Sequence, residues 1–319
     1  MVNTDVAAVP LPDLSGGPGS SSGAPVHRQR RGSLLPYGLI TPMGALLALL
    51  MVLPVVMVIA SSLSSQVITR NGGRFVGLKN YTEVLSDPSF WPAAINTAVF
   101  SGVSVAAHLV IGLGFALLLN SPLLGRVATA VFRTILILPW LFTAAVIAVL
   151  WRLILAPNGI INYLITTLGI RPESVQWFGD PKTALLAVTA MNIWSGYPFF
   201  MISLLAGLQG IPSDLHEAAR VDGAGPVQRF FNITIPQLKP LIISMAVLDL
   251  LWTTQQFALI WLTTGGGPLG VTEMLSTFTY KLAFADYDLV RASASAVLVL
   301  LFSLVVAVFY VRQQRRGAR

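Results

Sequence analysis

Asp249, Trp252, Thr253 and Gln256 are spaced i, i+3, i+4 and i+7, so a helix would set them along one face. Hydroxyl and carboxamide groups beside an indole can pair with the hydroxyls of a sugar while the ring stacks on its flat apolar face. That is recognition chemistry, not bond making. The stripe lies inside an apolar run, where polar side chains are costly and must face a bundle interior or a water-filled path. The competing reading is interhelical hydrogen bonding with nothing passing by. Asn192, Trp194, Ser195 and Tyr197 form a second polar group in another apolar run, with Pro198 placed to kink it. Asn192 and Tyr197 are path candidates there, against a reading as plain helix packing. Ser104, His108, Gly112 and Ala116 recur every fourth residue. Small residues at that spacing favour close helix contact, and His108 is expected to hydrogen-bond within a bundle.

Reactive motifs are missing from the chain. A phosphate-binding loop needs G-x-x-x-x-G-K-[ST]; the nearest fragment, Gly179-Asp180-Pro181-Lys182-Thr183, has Pro181 at the second glycine and Gln176 at the first. His216-Glu217 starts an H-E-x-x-H pattern, but Arg220 stands where the second histidine belongs. There are no cysteines and only three histidines, His27, His108 and His216. No catalytic residue and no metal ligand set is assigned.

The elements that would position the polar groups follow from composition. The 319 residues are 55% hydrophobic and 10% charged, with a mean hydropathy of +0.74; an ordinary soluble domain carries about 25% charged residues. The class is therefore an all-α integral membrane protein. The formal charge of +7 belongs to loops that set orientation, not to a nucleic-acid surface. Six stretches are long enough to span the bilayer: roughly 37–62, 94–120, 127–151, 183–207, 238–262 and 290–311. The first is too long for a signal peptide and follows a polar tail. An even number of spans puts both termini on one side, and twelve of the 20 Lys and Arg fall on that side, which favours cytosolic termini. Residues 1–33, rich in Gly, Ser and Pro, read as a disordered cytosolic tail preceding a membrane domain over 34–319. The stretch 158–170 is a candidate short amphipathic helix on the opposite side.

One long polar stretch, 212–236, falls between spans four and five. Pro212-Ser213-Asp214 can start a helix, with Asp214 and Glu217 spaced as in a capping box. Leu215, Ala218 and Ala219 give it a small apolar face. Gly223 supplies a turn that tolerates positive φ, Gly225-Pro226 opens a second helix, and Pro236 is expected to end it. Small residues on an exposed helix let another protein's backbone come close; a merely solvated connector would not need them.

Glu217-Ala218-Ala219, then Gly223, then Ile233-x-Ile235-Pro236 resembles the EAA signature of permease subunits in binding-protein-dependent ABC importers. The family usually has Leu where this chain has Ile235. Residues 177–224 and 262–284 are similar to the carbohydrate-uptake, maltose-type subfamily; residues 1–33 show no resemblance. The resemblance implies that 212–236 contains a coupling helix, with Glu217, Ala218, Ala219, Arg220, Asp222 and Gly223 docking a separate ATPase subunit. It also implies a second homologous permease, two ATPase subunits that bind ATP and Mg, and an extracytoplasmic substrate-binding protein at the cell membrane. In the maltose-type permeases span five contributes to the sugar site. The cargo would be a sugar, with a polyol phosphate still open. A secondary transporter coupled to an ion through Asp249, and a structural or assembly membrane protein, are the rivals; the first leaves the 212–236 loop unexplained, and the second would need no polar stripe.

Overall fold

The computed structural model describes residues 35–67, 73–121 and 125–317. The expected tail, 1–33, lies outside them. The chain divides into two compact units, Met1–Leu50 and Met51–Arg319. The described part of the first is helix α1, Leu35–Leu47, and the start of a π turn at Ala48–Val52. From Ile40 onward its side chains are apolar and exposed, as contact with lipid requires.

In the second unit the helices run α2 (Leu53–Ser62), α3 (Lys79–Leu85), α4 (Phe90–Asn120), α5 (Arg126–Leu141), α6 (Ala144–Ile154), α7 (Ile160–Thr167) and α8 (Ala184–Gln209). They continue as α9 (Ser213–Val221), α10 (Pro226–Arg229), α11 (Ile235–Thr254), α12 (Ala258–Thr263), α13 (Leu275–Phe284) and α14 (Leu289–Gly317). Among the described residues, five helical stretches are long and apolar enough to cross a membrane, and α5 with α6 makes a sixth only as a pair bent by 101°. Lipid offers no hydrogen bonds, so helices that close their own backbone bonds are the expected solution.

Two spans differ from their expected form. The third is broken, not straight. Pro139 weakens the end of α5, Phe142 and Thr143 are extended, and Thr143 Oγ1 accepts the Val146 amide at 3.4 Å to start α6 afresh. The fifth span does not begin after a stop at Pro236. Helical structure runs unbroken from Pro226 to Thr254, through a π turn at Phe230–Thr234. Pro236 sits just after this π turn, where the widened backbone accommodates its ring and its missing N–H. The same span ends early, at Thr254, before a short break and α12.

The core of the bundle is the α4–α8 pair, the most extensive helix contact, with α11 laid against both. Ser104, His108, Gly112 and Ala116 are all buried, as their spacing suggests. Phe200, Met201 and Leu204 from α8 and Leu238 and Met245 from α11 fill the space around Ala116. A Cβ on Gly112 would stand 2.5 Å from Phe200 Cβ and 2.9 Å from the Met201 amide nitrogen. Only glycine lets the two backbones approach this closely.

Gly112→Val should therefore cost about 1–3 kcal/mol through overpacking. Gly102→Ala, at a position with nothing within 4 Å, should cost nothing. Thermal unfolding in lipid nanodiscs distinguishes them; equal midpoints would show that the helices have slack at this crossing.

Candidate functional site

Where α4, α8 and α11 meet, a cavity of about 260 Å³ opens against the α5–α6 break. Its polar wall comprises His108, Asn192, Ser195, Asp249, Thr253 and Gln256. Its aromatic wall comprises Trp140, Phe142, Phe199 and Trp252. The rings form a loose series: Phe199 lies 6.2 Å from Trp140 and 5.4 Å from Trp252, centroid to centroid. No Lys or Arg lines the cavity.

Asp249 is the acid buried among these helices, and it is not free. Its Oδ2 lies 2.7 Å from His108 Nδ1, and Thr253 Oγ1 donates to its Oδ1 at 3.4 Å. His108 Nε2 lies 3.0 Å from the Asn192 carbonyl oxygen. A carbonyl can only accept, so Nε2 carries a hydrogen. One further proton then lies between Nδ1 and Oδ2, and the pair is electrically neutral whichever atom holds it. Gly196 makes room for the ring, since a Cβ there would collide with the imidazole. The three helices are thus pinned through a single side chain.

Asn192 presents the opposite case. It is 5% exposed, and its Nδ2 has no hydrogen-bond partner. An unmade bond of this kind costs about 1–3 kcal/mol. A hydroxyl entering the cavity would satisfy it. This unpaired donor belongs to a residue that lines the same cavity as Trp252, which is 55% exposed.

The expected path residues are mostly gathered here. Asp249, Trp252, Thr253 and Asn192 line the cavity from helices. Gln256 also lines it, but from the break after α11 and not from a fourth helical position. Tyr197 is the exception. It is buried in the α4–α8 core, where its ring packs 5.3 Å from Phe115 and its hydroxyl donates to the Leu136 carbonyl at 3.0 Å. Its neighbours Gly196 and Phe199 line the cavity, but Tyr197 stands on the side of α8 that meets Phe115 and Leu136. Trp140 and Phe142 were not singled out; only the Pro139 and Thr143 flanks hinted that the chain would turn there and aim them inward.

The second candidate element is α9. None of its residues is buried. Glu217, Ala218, Asp222 and Gly223 are exposed, Ala219 is half-buried, and Leu215 and Val221 stand 41% and 88% exposed. The expected capping box is absent: Pro212 is the N-cap residue, Ser213 opens the helix, and Asp214 falls two residues past the cap position. The C-terminal turn is as expected. Gly223 has φ +80°, its amide bonds the Arg220 carbonyl, and the Ala224 amide bonds the Ala219 carbonyl at 2.8 Å. This is a Schellman closure, which strongly favours glycine at that position. Arg220 faces a cavity between α9 and the ends of α4 and α8.

Residues 86–318 match the family model described as the inner membrane component of binding-protein-dependent transport systems. The chain is 36% identical over 288 residues to the trehalose/maltose transport system permease of Thermococcus litoralis, covering 90% of this chain and 96% of that one. It is 34% identical over 281 residues to the sulfoquinovosyl glycerol transport system permease of Agrobacterium fabrum, covering 88% and 90%. A solved bacterial alginate ABC transporter, in complex with an alginate pentasaccharide-bound periplasmic protein, has a chain of the same fold. Its TM-score is 0.78 at 23% identity, covering 89% of this chain and 95% of that one.

His108→Leu and Asp249→Leu should each destabilise the bundle by about 3–5 kcal/mol, because each leaves a polar partner buried and alone. The double variant should lose less than the sum. A double-mutant cycle on denaturation in detergent measures this; strict additivity would show that the two side chains do not interact.

Proposed function

This chain belongs to the family of inner membrane components of binding-protein-dependent transport systems, and on that premise we propose that it carries a neutral sugar through an ATP-driven importer. It is a multi-pass membrane protein and a permease subunit of an ABC importer. The unpartnered Asn192 amide beside the aromatic wall supports a sugar as cargo: hydroxyls for the amide, ring faces for Trp252. The trehalose/maltose relative points to the same class. A polyol phosphate fits poorly, because a phosphate leaving water needs cationic donors and this cavity offers none. An ion-coupled mechanism fits poorly too, since Asp249 is already bonded to His108.

In this reading the chain forms half of the path, and a second homologous permease forms the other. Two ATPase subunits hold ATP and Mg, and an extracytoplasmic binding protein delivers the sugar. Both termini and the 212–236 loop are cytosolic, after a tail over 1–33. α9 is the coupling helix, gripped through its exposed face around Glu217, Ala218, Ala219, Asp222 and Gly223, with Arg220 on the side turned to the bundle. The helical run Pro226–Thr254 makes the linkage mechanical. At about 1.5 Å per residue it is a rod of about 40 Å with α9 at one end and Asp249, Trp252 and Thr253 near the other. ATP binding closes the ATPases, α9 moves, the rod tilts and the cavity changes the side it faces. Release of the hydrolysis products reverses the motion.

Replacing Asn192 or Gln256 with Leu should abolish sugar uptake in proteoliposomes while the ATPase subunit still copurifies; normal uptake would remove the cavity from the path. Conversely, Gly223→Val forces a side chain into a left-handed backbone at about 1–2 kcal/mol. It should release the ATPase subunit in pull-downs and uncouple uptake from ATP. Retained ATPase with uptake driven by an ion gradient would refute the coupling role of α9.

A further inference from the structure

We propose that the cavity between α9 and the bundle is a binding site for a phosphate-class oxyanion, supplied either as free phosphate or as a lipid headgroup. The space is about 340 Å³, and its polar wall is Asn120, Ser213, His216, Arg220, Arg229 and Thr234. Every group in that wall can donate a hydrogen bond, and no carboxylate contributes to it. Asp214, whose Oδ1 lies 3.3 Å from Ser213 Oγ, is outside the lining.

Two cations in one small cavity repel each other unless something negative lies between them. Nothing in the chain does so: among the described residues neither Arg220 nor Arg229 has a carboxylate within 4.0 Å. The Nε of Arg229 is buried and has no hydrogen-bond partner. A guanidinium left with an unmade N–H in a desolvated place is costly, more so than a neutral group. Two guanidiniums lining one cavity, the exposed Arg220 from α9 and the partly buried Arg229 from α10, suit the several oxygens of a phosphate better than the two of a carboxylate. The α9 N-terminus adds to this, since its first-turn amides receive no side-chain cap and Ser213, its first residue, reaches the cavity.

The site is separate from the exposed face of α9 around Leu215 and Val221. An anion there would draw α9 and α10 onto the ends of α4 and α8, and would bias the position of the element proposed above to couple to ATP. Binding itself does not depend on that reading, so it is tested on this chain alone.

The full-length protein in nanodiscs of zwitterionic lipid is titrated with inorganic phosphate by calorimetry. In a second arm, nanodiscs carry phosphatidylglycerol, and retained anionic lipid is counted by native mass spectrometry. Binding is expected in at least one arm, and which arm responds identifies the source. Arg229→Gln and Arg220→Gln should each weaken it about tenfold, the value of one charged hydrogen bond. Asn120→Asp, which leaves both arginines in place and adds a negative charge, should weaken it equally. Arg229→Lys should retain part of it. Thermal midpoints confirm that each variant folds. No binding in either arm, or binding indifferent to all of these substitutions, overturns the proposal. So does loss of a coexpressed ATPase subunit in the Arg variants with both binding arms unchanged, which would assign the guanidiniums to a subunit contact.

Discussion

The hydrogen-bonded unit of His108, Asp249 and the Asn192 carbonyl is the interaction on which the arrangement of this bundle depends. In water such a pair contributes little. Between apolar helices it has no substitute partner, so breaking it strands a buried polar group. One imidazole therefore fixes the rotation of three helices at once: α4 through its own position, α11 through the carboxylate, α8 through the backbone. The glycines at 112 and 196 are consequences of that geometry, because a ring reaching α8 from α4 requires the two backbones to lie close. The cavity is a consequence as well. With the polar edge of α11 held toward α8, Trp252, Thr253 and Asn192 face a common space and cannot rotate toward lipid.

A second constraint governs the other end of the molecule. Helix α9 has no buried face, and a nine-residue helix is too short to be stable by propensity alone. Its C-terminus is closed locally, by the Schellman arrangement at Gly223. After a turn over residues 222–225, α10 begins at Pro226, and the π turn joins α10 without interruption to α11. π turns inside longer helices are rare and concentrate at functional places. Here the turn lies between α10 and the span that carries the cavity residues.

The sequence made some of this legible and hid the rest for physical reasons. The length of the apolar runs revealed α4, α8 and α14, because such a run in lipid admits one solution. Gly223 was readable because a positive φ after a helix selects a residue type. The fourfold spacing around His108 showed that its face was buried, but not what it met, since Asp249 lies 141 residues away in the chain. Pro236 misled because proline ordinarily stops a helix, whereas here the preceding π turn accommodates its ring and its missing N–H. The bend between α5 and α6 was hidden for a related reason. Hydropathy averages over Phe142 and Thr143, whereas the backbone there is set by a single cap. Tyr197 and Asn192 looked alike in composition; only the rotation of α8 separates a core hydroxyl from a cavity amide.

Charge is distributed along the bundle in a way that follows from the cost of leaving water. The acid buried among α4, α8 and α11 shares its proton with a histidine, so the cavity that faces a cargo carries no net charge. The guanidiniums of Arg220 and Arg229 stand instead at the ends of α4 and α8, where water can reach one of them and an anion the other. A path that held a fixed cation would bind an anionic cargo tightly and release it slowly, because little water would compete for the pair. A neutral cavity of hydroxyl, amide and indole groups avoids that trap. Its contacts are individually weak, so the cargo can leave when the helices separate. The positive groups at the α9 end are then free to serve a purpose other than transport, which is where the structure leaves them unpaired.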